Sequence, residues 1–312
     1  MAMKNAVGFL LLLVVFAFGG CTKYLEFEGD NATPRLVING VMYPDSSIQV
    51  TLSNSVGYLS TEDLRRQTNG VLSLYNEAGE LLEVLQHTGE GIYRGNTTAS
   101  VGSRFRLVAE HPGFDPVEAS DVVPVPVPIL AWDTATVEIE NPFETTSGRE
   151  YRFTFADPPG EDNYYMVEVI QVEEFFINSV FDPNTGQFVP DTVWLDQPFF
   201  FPVGMNTSDQ VISSENDSFI GESLTFGDQF FFSDDLFEGT TREFVVRVSE
   251  PFPGARYVLR LSTLSEAYYR YRVTARRFLN TNGDPFAEPV LVFSNVEGGL
   301  GVFGAASSSS VE

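Results

Sequence analysis

Short stretches of alternating apolar and polar residues fill the chain from residue 35 to about residue 121. Ile48, Val50 and Leu52 are separated by polar residues, and this period of two predicts a strand with one buried face. A turn sequence at Ala78-Gly79 joins two such stretches into a predicted hairpin. Seven stretches follow the pattern: 36–42, 47–53, 70–76, 80–86, 91–95, 104–111 and 115–123. Seven short strands at this spacing favour an antiparallel β-sandwich.

A proline-rich segment divides the chain into two predicted domains. Residues 122–128 read VVPVPVP, and alternating prolines favour an extended polyproline II strand that cannot continue a central sheet. We therefore predict an N-terminal domain over 35–121, a semi-rigid linker over 122–128 and a C-terminal domain over 129–312. The first domain resembles the immunoglobulin-like or transthyretin-like sandwiches of cell-surface proteins, a resemblance that implies no particular activity.

The C-terminal domain is again rich in strand patterns but has longer, aromatic insertions. Long connections are expected between residues 172 and 242, where two runs of three phenylalanines, 199–201 and 230–232, cannot alternate. In each run we expect at least one ring to be partly exposed or covered by another loop. Strands are predicted at 135–139, 150–155, 164–172, 244–248 and 256–261. The predicted fold is mainly β, with a second sandwich-type domain after the first.

One amphipathic helix is predicted near the C-terminus, over residues 263–279. Thr263 and Glu266 form a T-x-x-E capping box, and apolar residues recur at helical spacing after it. Four arginines cluster on this helix: Arg270, Arg272, Arg276 and Arg277. Arginines near a helix C-terminus are stabilising and pair with the protein's own carboxylates. The alternative is a docking patch for a partner or for phosphorylated headgroups.

The first 21 residues have the pattern of an export signal that ends at the only cysteine of the chain. Lys4 precedes an apolar run over 6–18, which is too short to span a bilayer and fits a signal peptide. Gly19 and Gly20 then lead into Cys21, and this sequence resembles the lipobox of bacterial lipoproteins, in which the cysteine is acylated. We predict a signal peptide over residues 1–20 and a lipid on Cys21. The alternative is a soluble secreted protein with a free thiol.

Residues 21–34 are expected to form an acidic tether between the lipid and the first domain. Glu26, Glu28 and Asp30 follow the cysteine closely, and they resemble the signal that sends Bacteroidota lipoproteins to the cell surface. We therefore expect a lipid-anchored protein of the outer membrane that faces the cell exterior.

The charge balance excludes one class of partner. Asp and Glu number 43 against 18 Lys and Arg, a formal charge of -25. Such a surface repels phosphates, so we predict no nucleic-acid binding. Two interpretations of the charge balance stay open: adaptation to high salt, where self-repulsion is screened, and a GC-rich genome, which favours Arg codons and would account for the scarcity of lysine alone.

No catalytic, nucleotide-binding or zinc motif is found in the sequence, so we predict no enzymatic activity, no cofactor and no metal. Residues 182–186 begin like a calcium loop, but the closing position holds Val193, and a plain turn is favoured. Thr134 and Thr192 follow aspartates in a pattern that resembles O-glycosylation sites of Bacteroidota. Trp132, Trp194 and the phenylalanine runs fill the cores or form a stacking platform for sugars.

The segment 282–304, NGDPFAEPVLVFSNVEGGLGVFG, resembles the C-terminal signature of an uncharacterised family of Bacteroidota outer-membrane lipoproteins, a domain of unknown function. Similar blocks are FSDDLFEG at 232–239 and LVINGVMYPDSSIQVTLS at 36–53. Such proteins are often encoded beside TonB-dependent receptors. The resemblance thus implies an accessory or binding subunit of a TonB-dependent nutrient transporter, with a β-barrel receptor as partner. The alternatives are a structural or adhesive envelope lipoprotein and a hydrolase with dispersed carboxylates.

Overall fold

The chain folds mainly into β-strands, as the sequence predicts. The computed structural model describes residues 33–57, 65–140, 145–215, 225–249, 255–281, 288 and 290–312. The N-terminal strands are β1 (Leu36–Met42), β2 (Ser47–Asn54), β3 (Val71–Asn76), β4 (Leu81–Val84), β5 (Gln86–Gly89), β6 (Ile92–Thr98), β7 (Arg104–Glu110) and β8 (Val117–Val122). The next elements are β9 (Ala131–Glu140), β10 (Thr145–Ala156), β11 (Tyr164–Asp182), β12 (Gln187–Pro202), β13 (Met205–Thr207) and α1 (Gln210–Glu215). The last are β14 (Thr225–Gly227), β15 (Phe230–Ser233), β16 (Thr241–Ser249), β17 (Arg256–Leu264), α2 (Glu266–Thr281) and β18 (Leu300–Val311).

Three sheets form in the described part of the chain. The largest has nine strands, in the order β12-β11-β17-β18-β1-β2-β6-β5, with β15 pairing to β11 beside this path. A five-stranded sheet has the order β14-β13-β16-β10-β9, and a four-stranded sheet has the order β4-β3-β7-β8. The nine-stranded sheet therefore contains strands from both predicted domains.

The two largest hydrophobic cores of the described residues lie on this large sheet. The first joins β1, β2, β6 and the start of β18 to the four-stranded sheet, with Ile38, Val50 and Leu107 fully buried. The second joins β11, β15 and β17 to the five-stranded sheet around buried aromatic rings such as Phe153 and Phe244. Each core has the alternating inward positions of a sandwich, because apolar residues of two facing sheets meet there.

The last strand, β18, belongs to both sandwiches. Its first half pairs in parallel with β1, where Ile38 lies opposite Gly301, and its second half pairs antiparallel with β17. Gly301 has a φ of 102°, and a Cβ there would lie 2.0 Å from the Ile38 carbonyl oxygen. Asn295 fixes the same strand, since its side chain accepts from the Phe303 N–H at 3.0 Å and donates to the Phe303 carbonyl at 2.8 Å.

The proline-rich segment is packed against the end of β18 by hydrogen bonds. Ser307 Oγ donates to the Pro124 carbonyl, and Ser309 Oγ donates to the Val127 carbonyl at 2.7 Å. The Val127 N–H donates to Thr263 Oγ1 at 3.2 Å, and the Val127 side chain is buried in the second core. A segment held at both backbone groups of Val127 is part of the sheet packing, unlike the spacer that the prolines predict.

The helix begins later than the sequence predicts. Thr263 and Leu264 lie in β17, and α2 starts at Glu266. Ser265 is the residue that caps it, because its Oγ accepts from the Tyr268 N–H at 3.3 Å and also from the Ala305 N–H at 3.0 Å. Ser265 thus connects the helix to β18. The hydroxyl of Thr263 instead accepts a hydrogen bond from the Val127 N–H of the proline-rich segment.

Two further predictions of element boundaries differ from the structure. The sequence predicts one strand over residues 80–86. The structure divides this stretch: β4 pairs with β3 as the predicted hairpin, whereas β5 begins at Gln86 and pairs with β6 in the nine-stranded sheet. The long connections expected between 172 and 242 contain β12, β13 and β15 in addition to the short helix α1. The missed strand β12 is sixteen residues long and forms most of the surface described next.

Candidate functional site

A two-stranded hairpin extends from the edge of the nine-stranded sheet. Up to Val172, β11 pairs with β17 on one side, and beyond it the described pairing of β11 is with β12 alone. We name residues 173–201 the arm. From Phe175 to Asp182 the register is continuous, with Phe175 opposite Trp194 and Asp182 opposite Gln187. At about 3.3 Å per residue, this part of the arm is roughly 25 Å long.

The tip of the arm is a self-contained turn. The Asp182 carboxylate accepts from the Asn184 N–H at 2.9 Å and from the Thr185 hydroxyl at 2.9 Å. These hydrogen bonds lower the pKa of Asp182, the bond from the Asn184 N–H most strongly. Gly186 closes the turn with a φ of 68°. The Asp182 carboxylate is therefore occupied by hydrogen bonds within the turn. Among the described residues, no cluster of His, Cys, Asp and Glu suited to a metal ion occurs.

Aromatic pairs cover one face of the arm. Phe175 and Trp194 are opposite each other in register, with ring centroids 5.1 Å apart, and Phe181 and Phe188 form an edge-to-face pair at 5.5 Å. Cross-strand aromatic pairs stabilise a hairpin by about 0.2–1 kcal/mol each. They hold the rings in fixed positions without burying them.

Most of the exposed aromatic rings in the described part of the chain lie on the arm. All seven phenylalanines whose described side chains are exposed lie on it, and Phe188 is 71% exposed and Trp194 69%. The other face of the hairpin is apolar too, where Phe176 faces Val193 and Val180 faces Val189. A two-stranded ribbon with apolar residues on both faces is poorly stable alone in water, and a contiguous exposed patch of this kind marks an interaction surface.

The two phenylalanine runs have opposite environments. Phe199, Phe200 and Phe201 are all exposed at the base of the arm. Phe230, Phe231 and Phe232 are all buried, because Phe230 and Phe232 lie in the second core and Phe231 lies in a smaller third core with Met166 and Tyr268. The rings of 230–232 are therefore covered by other elements and not partly exposed.

The arm carries charge of one sign. Residues 173–201 include five carboxylates and no Lys, Arg or His. Glu174, at the base, is paired with Arg256 at 2.9 Å. The carboxylates nearer the tip, Asp191 and Asp196, belong to an exposed strand. Any partner that binds the arm therefore contacts exposed aromatic rings in a region of negative electrostatic potential.

The four arginines of the helix do not form one free patch. Arg270 pairs with Glu266 at 3.2 Å and lies over the Phe293 ring, Arg272 donates to the Tyr268 hydroxyl at 2.9 Å, and Arg276 donates to the Gln229 carbonyl at 2.6 Å. Of the four, only Arg277 has an exposed side chain without a hydrogen bond to the described residues. Three of the four cations thus bind groups of this chain.

The remaining predicted sites lie apart from one another. Thr134 is exposed on the edge strand β9, and Thr192 is exposed on the arm. Trp132 is on β9 and Trp194 on the arm, so they do not share a platform. Cys21, the signal peptide 1–20 and all of the tether except residues 33–34 lie outside the described residues. In the portion that is described, helices are too short or too polar to cross a bilayer.

One partly buried carboxyl has a raised pKa. Burial raises the pKa of Asp121 from 3.8 to about 6, and hydrogen bonds with Ser265 and with the Val122 N–H oppose this rise. Oδ1 accepts from the Val122 N–H at 2.8 Å. A raised carboxyl pKa means that the folded state binds the proton more tightly than the unfolded state. The contribution of Asp121 to stability is therefore greatest below pH 4 and falls as the pH rises to about 6.

We expect the substitution Asp121→Asn to stabilise the protein at pH 8. The amide keeps the acceptor for the Val122 N–H and removes the buried charge, so the gain is at most about 3 kcal/mol at ~1.4 kcal/mol per pKa unit. Urea unfolding of both proteins from pH 4 to pH 8 measures the difference. It should shrink towards pH 4, and a gain that does not change with pH would contradict this account.

A family model described as Domain of unknown function (DUF4249) matches residues 22–312. The chain belongs to this family. The DUF4249 match covers nearly the whole sequence and begins directly after Cys21. It confirms the membership of an uncharacterised family that the C-terminal signature indicates. No curated protein shows a significant match to the chain.

Within this DUF4249 chain, the glycines of the C-terminal signature are structural. Gly301 and Gly304 allow β18 to approach β1 and the helix, where a Cβ on Gly304 would lie 2.7 Å from the Tyr268 Cβ. The arm is an exposed surface that the sequence pattern does not predict. The available signal was a segment of aromatic and aliphatic residues without basic residues, on both sides of the turn at 182–186.

Proposed function

We propose that this protein is a lipid-anchored, non-enzymatic accessory subunit of the outer membrane that docks through its arm onto a TonB-dependent β-barrel receptor. The observation that carries the proposal is the arm, which exposes aromatic rings on a hairpin that extends beyond the sheet. Such a surface has the composition of an interface core, where aromatic residues are enriched and lysine is depleted. The lipobox at Cys21 and the resemblance to receptor-linked lipoproteins support the choice of partner.

The charge of the arm favours a protein partner over the lipid surface itself. Five carboxylates without a basic residue are repelled by anionic headgroups. A protein with lysine or arginine around an apolar site is complementary to the same surface. We therefore assign the rings to a receptor groove with a basic rim, and the membrane attachment to the lipid on Cys21.

The test is a photocrosslink in the cells that make the protein. A benzoylphenylalanine placed at Phe188 of the arm should form an adduct with a β-barrel receptor, identified by mass spectrometry. The matched position is Trp132, an exposed aromatic residue on β9, outside the arm, and it should give no such adduct. The combined substitution of Phe175, Phe188 and Trp194 by serine should reduce recovery of the receptor in mild detergent by at least about 100-fold, since interface aromatics contribute ~2 kcal/mol or more each.

Two controls separate docking from anchoring. The Cys21→Ser protein should leave the membrane fraction, whereas the triple arm variant should stay in it without the receptor. Recovery of the lipoprotein alone, or equal recovery of the receptor by the arm variant, would contradict the proposal. The structural or adhesive alternative would instead give a deletion strain that takes up nutrients normally and has altered cell contact or envelope integrity.

A further inference from the structure

A second surface, distant in sequence from the arm, has the chemistry of a small-ligand site. The helix α2 packs on β18, where Gly304 admits Tyr268 against the strand. In the neighbouring strands β1 and β2, the side chains of Ile38 and Val50 point into the first core. Their opposite face, beside the helix, forms the floor of an open cleft of about 560 Å³.

The lining of the cleft is neutral on the side of the sheet. Asn39 and Thr51 are opposite each other in the register of β1 and β2, so their side chains share one face, and Gln49 follows on β2. The helix contributes Tyr268, Tyr271 and Arg272. No carboxylate lines the described cleft, although the chain contains 43 acidic residues.

Arg272 is held by other groups of the protein. One of its terminal nitrogens donates to the Tyr268 hydroxyl at 2.9 Å and the other to Gln229 Oε1, while its guanidinium lies 5.0 Å from the centre of the Phe231 ring. Gln229 in turn donates to the buried carboxylate of Glu168 at 2.8 Å, and Glu168 pairs with Arg260 at 3.3 Å. Both terminal nitrogens of Arg272 therefore already donate within the protein, and the guanidinium fixes the position of the Tyr268 hydroxyl.

Several polar groups of the cleft are available to a ligand. Within the described part of the chain, the side chains of Asn39, Thr51 and Tyr271 have no hydrogen-bond partner. The backbone of the floor is not available, because β1 pairs with β2 and β18 and β2 pairs with β1 and β6. A peptide cannot add to the floor as a further strand, since such addition needs a free sheet edge.

We propose that this cleft binds a neutral carbohydrate. Amide and hydroxyl side chains at sheet spacing bind neighbouring sugar hydroxyls, because each such group both donates and accepts. Tyrosine rings cover the apolar C–H face of a sugar and expose a hydroxyl at the edge. The absence of a carboxylate from the described lining disfavours a cationic sugar, and the use of both terminal nitrogens of Arg272 by Tyr268 and Gln229 favours a neutral sugar over an anionic one. This site does not depend on the arm or on a receptor.

The test uses the detergent-purified full chain on an array of immobilised neutral, sialylated, uronate and sulfated glycans. We expect binding to at least one neutral glycan. Tyr271→Ala and Asn39→Ala should each weaken it by about tenfold, a factor that corresponds to one lost stacking or hydrogen-bonding contact. Tyr271→Phe should retain most of the affinity because the ring remains. Trp194→Ala, on the arm, should leave it unchanged.

The outcomes are distinct from those of the receptor experiment. Binding confined to charged glycans, absence of glycan binding, or loss with Trp194→Ala in place of Tyr271→Ala would each overturn the proposal. Thermal unfolding of every variant shows whether it is folded. If Tyr271→Ala does not fold, Asn39→Ala is the deciding variant, because Asn39 is a half-buried residue of β1 whose side chain makes no hydrogen bond to the described residues.

Discussion

Substitution of Gly301 by alanine should destabilise the protein by about 4 kcal/mol or more. A φ of 102° costs an L-residue roughly 1–2 kcal/mol. The larger part of the lost free energy of unfolding comes from a steric clash. The new Cβ would lie 2.0 Å from the Ile38 carbonyl oxygen, within the parallel pairing of β1 and β18. Backbone atoms cannot move aside as a side chain does, so the strand pairing itself must open.

Gly113→Ala is the matched control for this prediction. Gly113 has a φ of 93°, and a Cβ there meets no atom within 4 Å, so the substitution should cost only the conformational part of about 1–2 kcal/mol. Urea unfolding followed by tryptophan fluorescence and circular dichroism measures both. Equal losses in the two variants would show that β1 and β18 separate without cost and would contradict the role given to β18.

Truncation of Phe244 to alanine should remove about 3–5 kcal/mol from the free energy of unfolding. Phe244 is fully buried in the second core, and its ring lies within 6 Å of four others. The neighbouring rings are rigid and cannot fill the cavity. The cost therefore includes both the lost transfer free energy of the ring and the free energy of the cavity that remains. The rings in contact with it are those of Phe153, Phe155, Phe232 and Phe237.

Phe188→Ala provides the comparison at an exposed ring. Phe188 is 71% exposed and contacts Phe181 across the arm, so its loss should cost less than about 1 kcal/mol. Denaturant titrations with a common slope allow the two midpoints to be compared directly. A cost at Phe188 as large as that at Phe244 would mean that the arm is part of the folded core, which would also remove the basis for its docking role.

The strands of the first sandwich follow from the sequence because their burial alternates. In β1 and β7 every second residue is buried, and the period of two is visible in the letters alone. The arm could not be found in this way. Both faces of its two strands are exposed, so β12 has no alternation to detect. The cause is the lack of a covering sheet, and that is a property of the tertiary structure.

Similar local sequences have different structures in this protein because they pack against different elements. The runs 199–201 and 230–232 are both three phenylalanines, yet one lies on a sheet edge and the other between two cores. Thr263 and Ser265 both precede Glu266 as possible caps, and the pairing of Thr263 with Ser307 in the sheet leaves the cap to Ser265. The serine-rich end of β18 has poor strand propensity and is a strand because β17 pairs with it.

The pairing of β1 with β18 also sets the order of events when the protein is made. Residues 36–42 must wait for residues 300–305 before the first sandwich can close, so a growing or translocating chain lacks this contact until almost all of it has been delivered. Contacts of such sequence separation slow folding. For the exported lipoprotein that we propose, this late contact would delay closure of the first sandwich until after translocation.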